Sequence, residues 1–169
     1  IFMVGGTNGK GSVCAMLESI LHCTGYKTGC YTSPHLLEYN ERIRINKTVV
    51  EDDKLCQIFH QIETARTACD TSLTFFEFGT LAAVGLFIEA QVDVAILEVG
   101  LGGRLDAVNA FDADCSILTS IDFDHIEYLG DTREKIGFEK AAIFSNIKPA
   151  ICSEIDIPDS VRQQVDNIG

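Results

Sequence analysis

Apolar positions along the chain alternate between short continuous runs and longer stretches with helical spacing. Ile1–Val4 is an apolar run that meets a glycine-rich turn over residues 5–11. Residues 12–25 then set Val13, Met16, Leu17, Ile20 and Leu21 on one helical face, with Gly25 as the stop. Lys27–Tyr31 reads as a second strand, followed by the loop Thr32-Ser33-Pro34-His35, and Arg42–Asn46 alternates like a short strand. Residues 51–69 carry Leu55, Ile58, Phe59 and Ile62 on a helical face. Glu51, Asp52 and Asp53 occupy its first turn, where the helix dipole favours anions. Residues 75–91 are almost wholly apolar, which predicts a helix buried on most sides.

The second half repeats the alternation. Val92–Val99 is a continuous apolar strand, the signature of a central parallel position, and Cys115–Ile121 is another. A helix is expected over Thr132–Ser145, a strand over Ala150–Cys152 and a helix from Pro158. Strands alternating with helices imply an α/β fold, a mostly parallel sheet with helices on both faces. The 169 residues are 46% hydrophobic, enough for one packed domain and too few for two. No repeat or linker interrupts them.

The formal net charge of −12 repels phosphodiester backbones, and the densest basic group, Arg42, Arg44 and Lys47, is interleaved with Glu41 and Asn46. Nucleic acid is therefore excluded as an expected partner. Seven cysteines lie scattered in apolar settings with no C-x-x-C pair, which suggests reduced thiols in the cytoplasm. No run approaches the roughly 18 apolar residues of a membrane span, and no signal peptide precedes the first strand. Because the chain opens within a strand and closes on Asn167-Ile168-Gly169, residues are expected to be missing at both ends.

The turn after the first strand carries the chemistry. Val4-Gly5-Gly6-Thr7-Asn8-Gly9-Lys10-Gly11-Ser12 sits between a strand and a helix, where backbone N–H groups and the helix dipole cradle phosphates. Gly6, Thr7, Asn8, Gly9, Lys10, Gly11 and Ser12 are the candidate ATP-binding residues, with Lys10 reaching the β/γ oxygens. The strict phosphate-loop pattern fails twice, at Val4 and at Gly11, but Ser12 still offers a hydroxyl one residue later. A glycine-rich turn without a ligand is the alternative.

Read for chemistry alone, Glu98 ends its strand on the edge where ligands of open α/β sheets gather, suited to a metal ion or to a structural ion pair. His125 follows another strand and lies on the same edge, as a ligand or as a solvated side chain. Ser33 offers a hydroxyl, or is a turn residue before proline. Phe75, Phe76 and Phe78 suit a core as well as a ligand. Arg104 either orients substrate or γ-phosphate or pairs with Asp106. Lys140 is otherwise a solvated lysine beside Glu139.

The run Gly6-Thr7-Asn8-Gly9-Lys10-Gly11-Ser12 resembles the form used by folylpolyglutamate and dihydrofolate synthases, within the Mur ligase superfamily. The resemblance continues through Thr32-Ser33-Pro34-His35-Leu36 with Glu41-Arg42-Ile43, and through Thr74-Phe75-Phe76-Glu77-Phe78. It extends over residues 98–107 (EVGLGGRLDA), 120–125 (SIDFDH) with 129–132 (LGDT), and 139–143 (EKAAI). It implies the N-terminal part of a P-loop NTPase-like central domain, with the glutamate-binding C-terminal domain absent. It further implies an ATP-dependent amide ligase that adds L-glutamate to dihydropteroate, to the γ-carboxylate of a folate, or to both, through an acyl phosphate. By the same resemblance Lys10, Glu98, His125 and Lys140 are catalytic, and Thr74, Phe76 and Asp106 contact the pterin. Ser33, Glu98, His125 and a carbamylated Lys140 hold Mg²⁺ at two sites.

Three positions depart from the family pattern: Phe138 stands where arginine is usual, Ala142 where glycine is, and Asp122 where a small or aliphatic residue is. The expected partners are ATP, glutamate and dihydropteroate or folates, with no nucleic acid and no membrane, acting on a cytoplasmic monomer. The 169 residues alone are expected to lack ligase activity. Two alternatives remain, a Mur ligase acting on a UDP-sugar peptide and a phosphate-loop nucleotide switch.

Overall fold

The computed structural model describes residues 1–169 and shows a mostly parallel seven-stranded sheet with helices. In chain order the strands are β1 (Phe2–Gly5), β2 (Thr28–Tyr31), β3 (Ile43–Ile45), β4 (Thr48–Val49), β5 (Val94–Glu98), β6 (Cys115–Leu118) and β7 (Ala150–Cys152). The helices are α1 (Lys10–Cys23), α2 (Asp52–Ala68), α3 (Phe75–Glu89), α4 (Ile126–Leu129), α5 (Arg133–Ala141) and α6 (Asp159–Ile168). Short 3-10 turns occupy Tyr39–Arg42 and Ala107–Ala110. The strand order is β4-β3-β2-β5-β1-β6-β7. By internal contacts the chain divides into two units, residues 1–15 with 97–169, and residues 16–96.

In the first unit β1 pairs in parallel with β6, Met3 opposite Ser116, and β6 pairs in parallel with β7. Met3, Val4, Val99, Leu118, Ile121, Ile136 and Ile143 are essentially inaccessible. A side chain on Gly5 would come within 2.9 Å of Ile143, so glycine lets that isoleucine pack directly on the strand. Gly137 does the same for α5 and α6, where a β-carbon would lie 3.1 Å from Val161 and 2.8 Å from the Ser160 hydroxyl. Glu134 reaches from α5 to accept the amides of Asp159 and Ser160 at the start of α6.

In the second unit β2, β3 and β4 form an antiparallel ribbon. Asn46 and Lys47 close β3 onto β4 with φ of 51° and 66°, the two left-handed residues that a tight hairpin demands. The alternation of residues 42–46 predicts β3 but not its partner, which is two residues long. Helix α3 packs on α2 through Gly85, where a β-carbon would be 2.7 Å from Ile58. Gly29 of β2 similarly admits the ring of Phe87, at 2.6 Å. Full burial of side chains such as Ile58, Leu86 and Phe87 contributes about 1.5–3 kcal/mol each. The expected helix over residues 132–145 ends at Ala141, because the chain turns there to pack Ile143 and Phe144 into the core.

Candidate active site

The phosphate loop lies where the sequence places it, between β1 and the first residue of α1. Gly6 and Gly9 adopt φ of 137° and 84°, values that side-chain-bearing residues rarely take. The loop is tied to the residues after β6: the Thr7 amide donates to the Ser120 carbonyl at 2.8 Å and the Asn8 amide to the Ser120 hydroxyl at 3.0 Å. The Thr119 hydroxyl donates to the Asn8 carbonyl at 2.7 Å, and Thr7 Oγ1 and the Asp122 main chain exchange bonds of 3.1 and 3.0 Å. Asp122 thus contributes to the loop through its backbone, which explains how its departure from the family pattern is accommodated. Lys10 Nζ is folded onto the carbonyls of Gly6 and Thr7 at 2.9 and 3.3 Å. Gly9, Gly11 and Ser12 are open to solvent at the start of α1, so their amides are accessible to an anion.

Glu98 ends β5 and is only 4% exposed. Its Oε1 lies 3.9 Å from the position a β-carbon on Gly11 would take, which sets the carboxylate beside the phosphate loop. Asp106 follows the glycine run and is also buried. One carboxylate oxygen accepts the amides of Gly100 and Leu101 at 2.9 and 2.8 Å, and the other accepts Val108 at 3.0 Å. Burial raises its carboxyl against the three amides and Lys10, which lower it. Asp106 is therefore the staple of the 100–108 turn.

Two readings of the charged residues change with the structure. Arg104 does not pair with Asp106: its guanidinium contacts both oxygens of Glu139, at 3.0 and 3.2 Å, and covers the Phe138 ring at 6.0 Å. Phe138 thereby serves as the platform for Arg104. Lys140 is not a solvated lysine and is not paired with Glu139, because it faces inward on α5 and is 3% exposed. Its amine is driven down to about 8, first by burial and then by Lys10, with Asp124 opposing. His125 sits in the left-handed conformation, φ 46°, immediately before α4, exposed and 3.7 Å from Asp124. No three His, Cys, Asp or Glu side chains converge on a metal-sized point.

The remaining candidates belong to the second unit. Thr74 is the N-cap of α3: its Oγ1 accepts the Glu77 amide at 3.2 Å while Glu77 accepts the Thr74 amide at 2.6 Å. The Thr74 backbone amide and, with it, the Thr74 hydroxyl hydrogen-bond the Glu77 carboxylate and hold that carboxyl below its usual range. Phe76 stacks on Tyr31 with centroids 5.7 Å apart, Phe75 is exposed, and Phe78 meets the edge of Phe59. Ser33 precedes a cis proline in the loop after β2. Sequence reasoning passed over Glu41 and Arg42 as site builders. Glu41 accepts the amides of Leu36, Leu37 and Glu38 and so pins this loop.

A mostly parallel sheet with a phosphate loop at its first strand–helix turn and a buried carboxylate beside that loop defines a nucleotide-binding α/β domain. The chain belongs to the Mur ligase middle domain family, whose profile matches residues 4–168. It is 53% identical over 161 residues to the dihydrofolate synthase/folylpolyglutamate synthase of Escherichia coli K12, covering 95% of this chain and 38% of that protein. Among solved structures it matches E. coli FolC in complex with DHPP and ADP, at 52% identity and TM-score 0.97, over 99% of this chain and 40% of that one. It also matches the bifunctional folylpolyglutamate synthase/dihydrofolate synthase of Yersinia pestis complexed with AMPPNP and Mn ion, at 50% identity and TM-score 0.95, covering 99% and 40%. The chain thus spans about two-fifths of the length of these relatives. No helix is long and apolar enough to cross a membrane.

Proposed function

We propose that the chain is the nucleotide-binding part of an ATP-dependent ligase that adds L-glutamate to dihydropteroate, to the γ-carboxylate of a folate, or to both. The observation that carries this reading is the placement of Glu98 beside an open phosphate loop, in a chain half identical to synthases of that name. In the reaction a substrate carboxylate attacks the γ-phosphate of ATP, forming an acyl phosphate and releasing ADP. The neutral glutamate amine then attacks the acyl carbon and gives up a proton as the C–N bond forms, and phosphate leaves with the C–O bond electrons.

Such phosphoryl transfer needs positioning and charge neutralisation. The loop amides of residues 6–12 bind the phosphate oxygens, and Lys10, released from the Gly6 and Thr7 carbonyls, meets the β/γ oxygens. Thr74 and Phe76 receive the pterin by hydrogen bonding and stacking, and Asp106 holds the 100–108 turn.

Magnesium suits the donor set in part. Glu98 and Ser33 are hard oxygen donors of the kind Mg²⁺ takes, and Glu98 is already beside the loop. An ammonium on Lys140 opposes a cation, but burial keeps part of this amine neutral, as addition of CO₂ requires. Carbamylation makes Lys140 an oxygen donor that joins His125 at a second site. Bound there, magnesium supplies charge neutralisation at the transferring phosphoryl group. The enzyme is read as a cytoplasmic monomer whose partners are these small molecules.

The test follows ADP release by the full-length parent with ATP, Mg²⁺ and glutamate. Release that requires dihydropteroate or tetrahydrofolate, and is lost in Glu98→Ala, is the expected result. Equal release without either acceptor would overturn the ligase reading in favour of a nucleotide switch.

A further inference from the structure

Arg42 is 8% exposed, yet its Nε hydrogen bond goes to the His35 imidazole and no carboxylate pairs with it. A buried guanidinium without an anion is costly, and most proteins avoid it. Here it sits in the corner formed by two perpendicular rings whose centroids are 5.7 Å apart. The Tyr39 and Phe75 rings lie 5.5 and 5.3 Å from its central carbon, and Nε donates to His35 Nδ1 at 2.8 Å. His35 thus offers Arg42 an imidazole nitrogen rather than a carboxylate. Glu41, the adjacent carboxylate in sequence, is occupied by the amides of Leu36, Leu37 and Glu38. The Tyr31 phenol lies near enough for Arg42 to lower it, against burial that drives it to about 12. Rings contact the guanidinium and His35 covers its Nε edge, which leaves the terminal nitrogens as the side not bonded to a carboxylate. Phe75 is exposed, so the arrangement opens to solvent.

We propose that Arg42, oriented by His35 and packed against the mutually perpendicular rings of Tyr39 and Phe75, is the receptor for a non-reacting carboxylate of the substrate. The planar fork matches a carboxylate in bidentate fashion. This rests on the ligase reading and extends it. Each turnover uses one carboxylate, which must reach the γ-phosphate, and every other carboxylate must be held without being activated. Two sources share that chemistry: the α-carboxylate of a folyl acceptor and the carboxylates of incoming glutamate. Dihydropteroate has only the reacting carboxylate, so it separates them.

The test uses the full-length parent carrying Arg42→Lys, Arg42→Met or His35→Ala, with thermal unfolding of each as a control. Arg42→Lys keeps the charge but loses the fork. It is expected to raise one substrate KM by about 10- to 100-fold, with the KM for ATP unchanged and kcat less affected. His35→Ala raises the same KM by a smaller factor. A higher KM for tetrahydrofolate with that for dihydropteroate unchanged identifies the acceptor's α-carboxylate. A higher KM for glutamate with both acceptors identifies the amino acid. Unchanged KM values, or a change confined to ATP, would overturn the proposal. If the parent releases ADP regardless of acceptor, the ligase reading fails, and calorimetric binding of L-glutamate and tetrahydrofolate decides this one. Binding weakened tenfold or more in Arg42→Lys sustains the receptor; equal binding, or none by the wild type, ends it.

Discussion

Gly6 packs against the side-chain hydroxyl of Thr119 with no room for a β-carbon between them. The phosphate loop and the end of β6 meet at this point, and Thr119 donates its proton to the Asn8 carbonyl on the far side of the loop. One contact therefore sets both the loop conformation and its register on the sheet.

Gly6→Ala should fail on two counts. Its φ of 137° is strained for any L-residue, and the new methyl group meets the Thr119 hydroxyl. Together these cost about 2–4 kcal/mol. Thermal unfolding with and without ADP is the measurement: a lower melting temperature and a lost ADP-induced shift are expected. Wild-type melting with a normal shift would show that the loop has another way to relax.

Glu41 should ionise far below ordinary glutamates. The amides of Glu38, Leu36 and Leu37 hold its carboxyl down at about 2, against a usual 4.5. Since the folded value is depressed, the anchoring of the loop is fully present above about 4.5 and is lost as pH falls toward 2. The amide resonances of Leu36, Leu37 and Glu38 should therefore hold still from pH 6 down to about 3.5, while exposed carboxylates titrate. Movement with a midpoint near 4.5 would contradict the geometry. Glu41→Gln should speed exchange of the same amides at neutral pH.

These features differ in how far the sequence announced them. The glycine–lysine turn and the Val/Ile strands are local signals, and the phosphate loop, β5, β6 and α3 appear close to the expected boundaries. The ribbon strand β4 has two residues, too few for a period to show. The 3-10 turn at Tyr39–Arg42 is capped by Glu38 and Glu41, which is legible only once the loop is seen to fold back. Arg104 meets Glu139, 35 residues away, and no spacing rule reaches that far. The inward turn of Lys140 on α5 follows from tertiary packing, since its neighbours Glu139 and Phe138 have the polarity of an exposed face and an apolar patch respectively.

Arg44 and Glu18 should behave as a unit. The Arg44 Nε–Glu18 Oε2 distance is 2.9 Å, the Glu18 side chain is 4% exposed, and its other oxygen has no hydrogen-bond partner. Arg44→Met leaves an uncompensated buried carboxylate, at a cost of about 3 kcal/mol. The double variant Glu18→Leu/Arg44→Met should recover most of that loss. Denaturant unfolding of the single and double variants checks it. A single variant within about 0.5 kcal/mol of wild type would mean that water reaches Glu18.

Lys140 gives the sharpest pH signature. Burial and the Lys10 charge lower its amine from 10.5 to about 8, while Asp124 pulls the other way. For a base whose folded value is depressed, the unfolded chain binds the extra proton, so stability rises with pH between about 8 and 10.5. Below 8 the full penalty applies, on the order of 3 kcal/mol. Lys140→Met should accordingly be more stable than wild type at pH 7 in CO₂-free buffer, and the gap should narrow through that window. At pH 7 about a tenth of the amine is neutral, far more than for an exposed lysine, so it is primed to take up CO₂. Adding ¹³C-bicarbonate should then produce a carbamate resonance that Lys140→Met lacks. Carbamylation removes the buried ammonium, so bicarbonate should also shrink the stability gap at pH 7. A gap unmoved by pH and bicarbonate alike would show Lys140 to be solvated and ordinary, and would take the oxygen donor away from the second magnesium site.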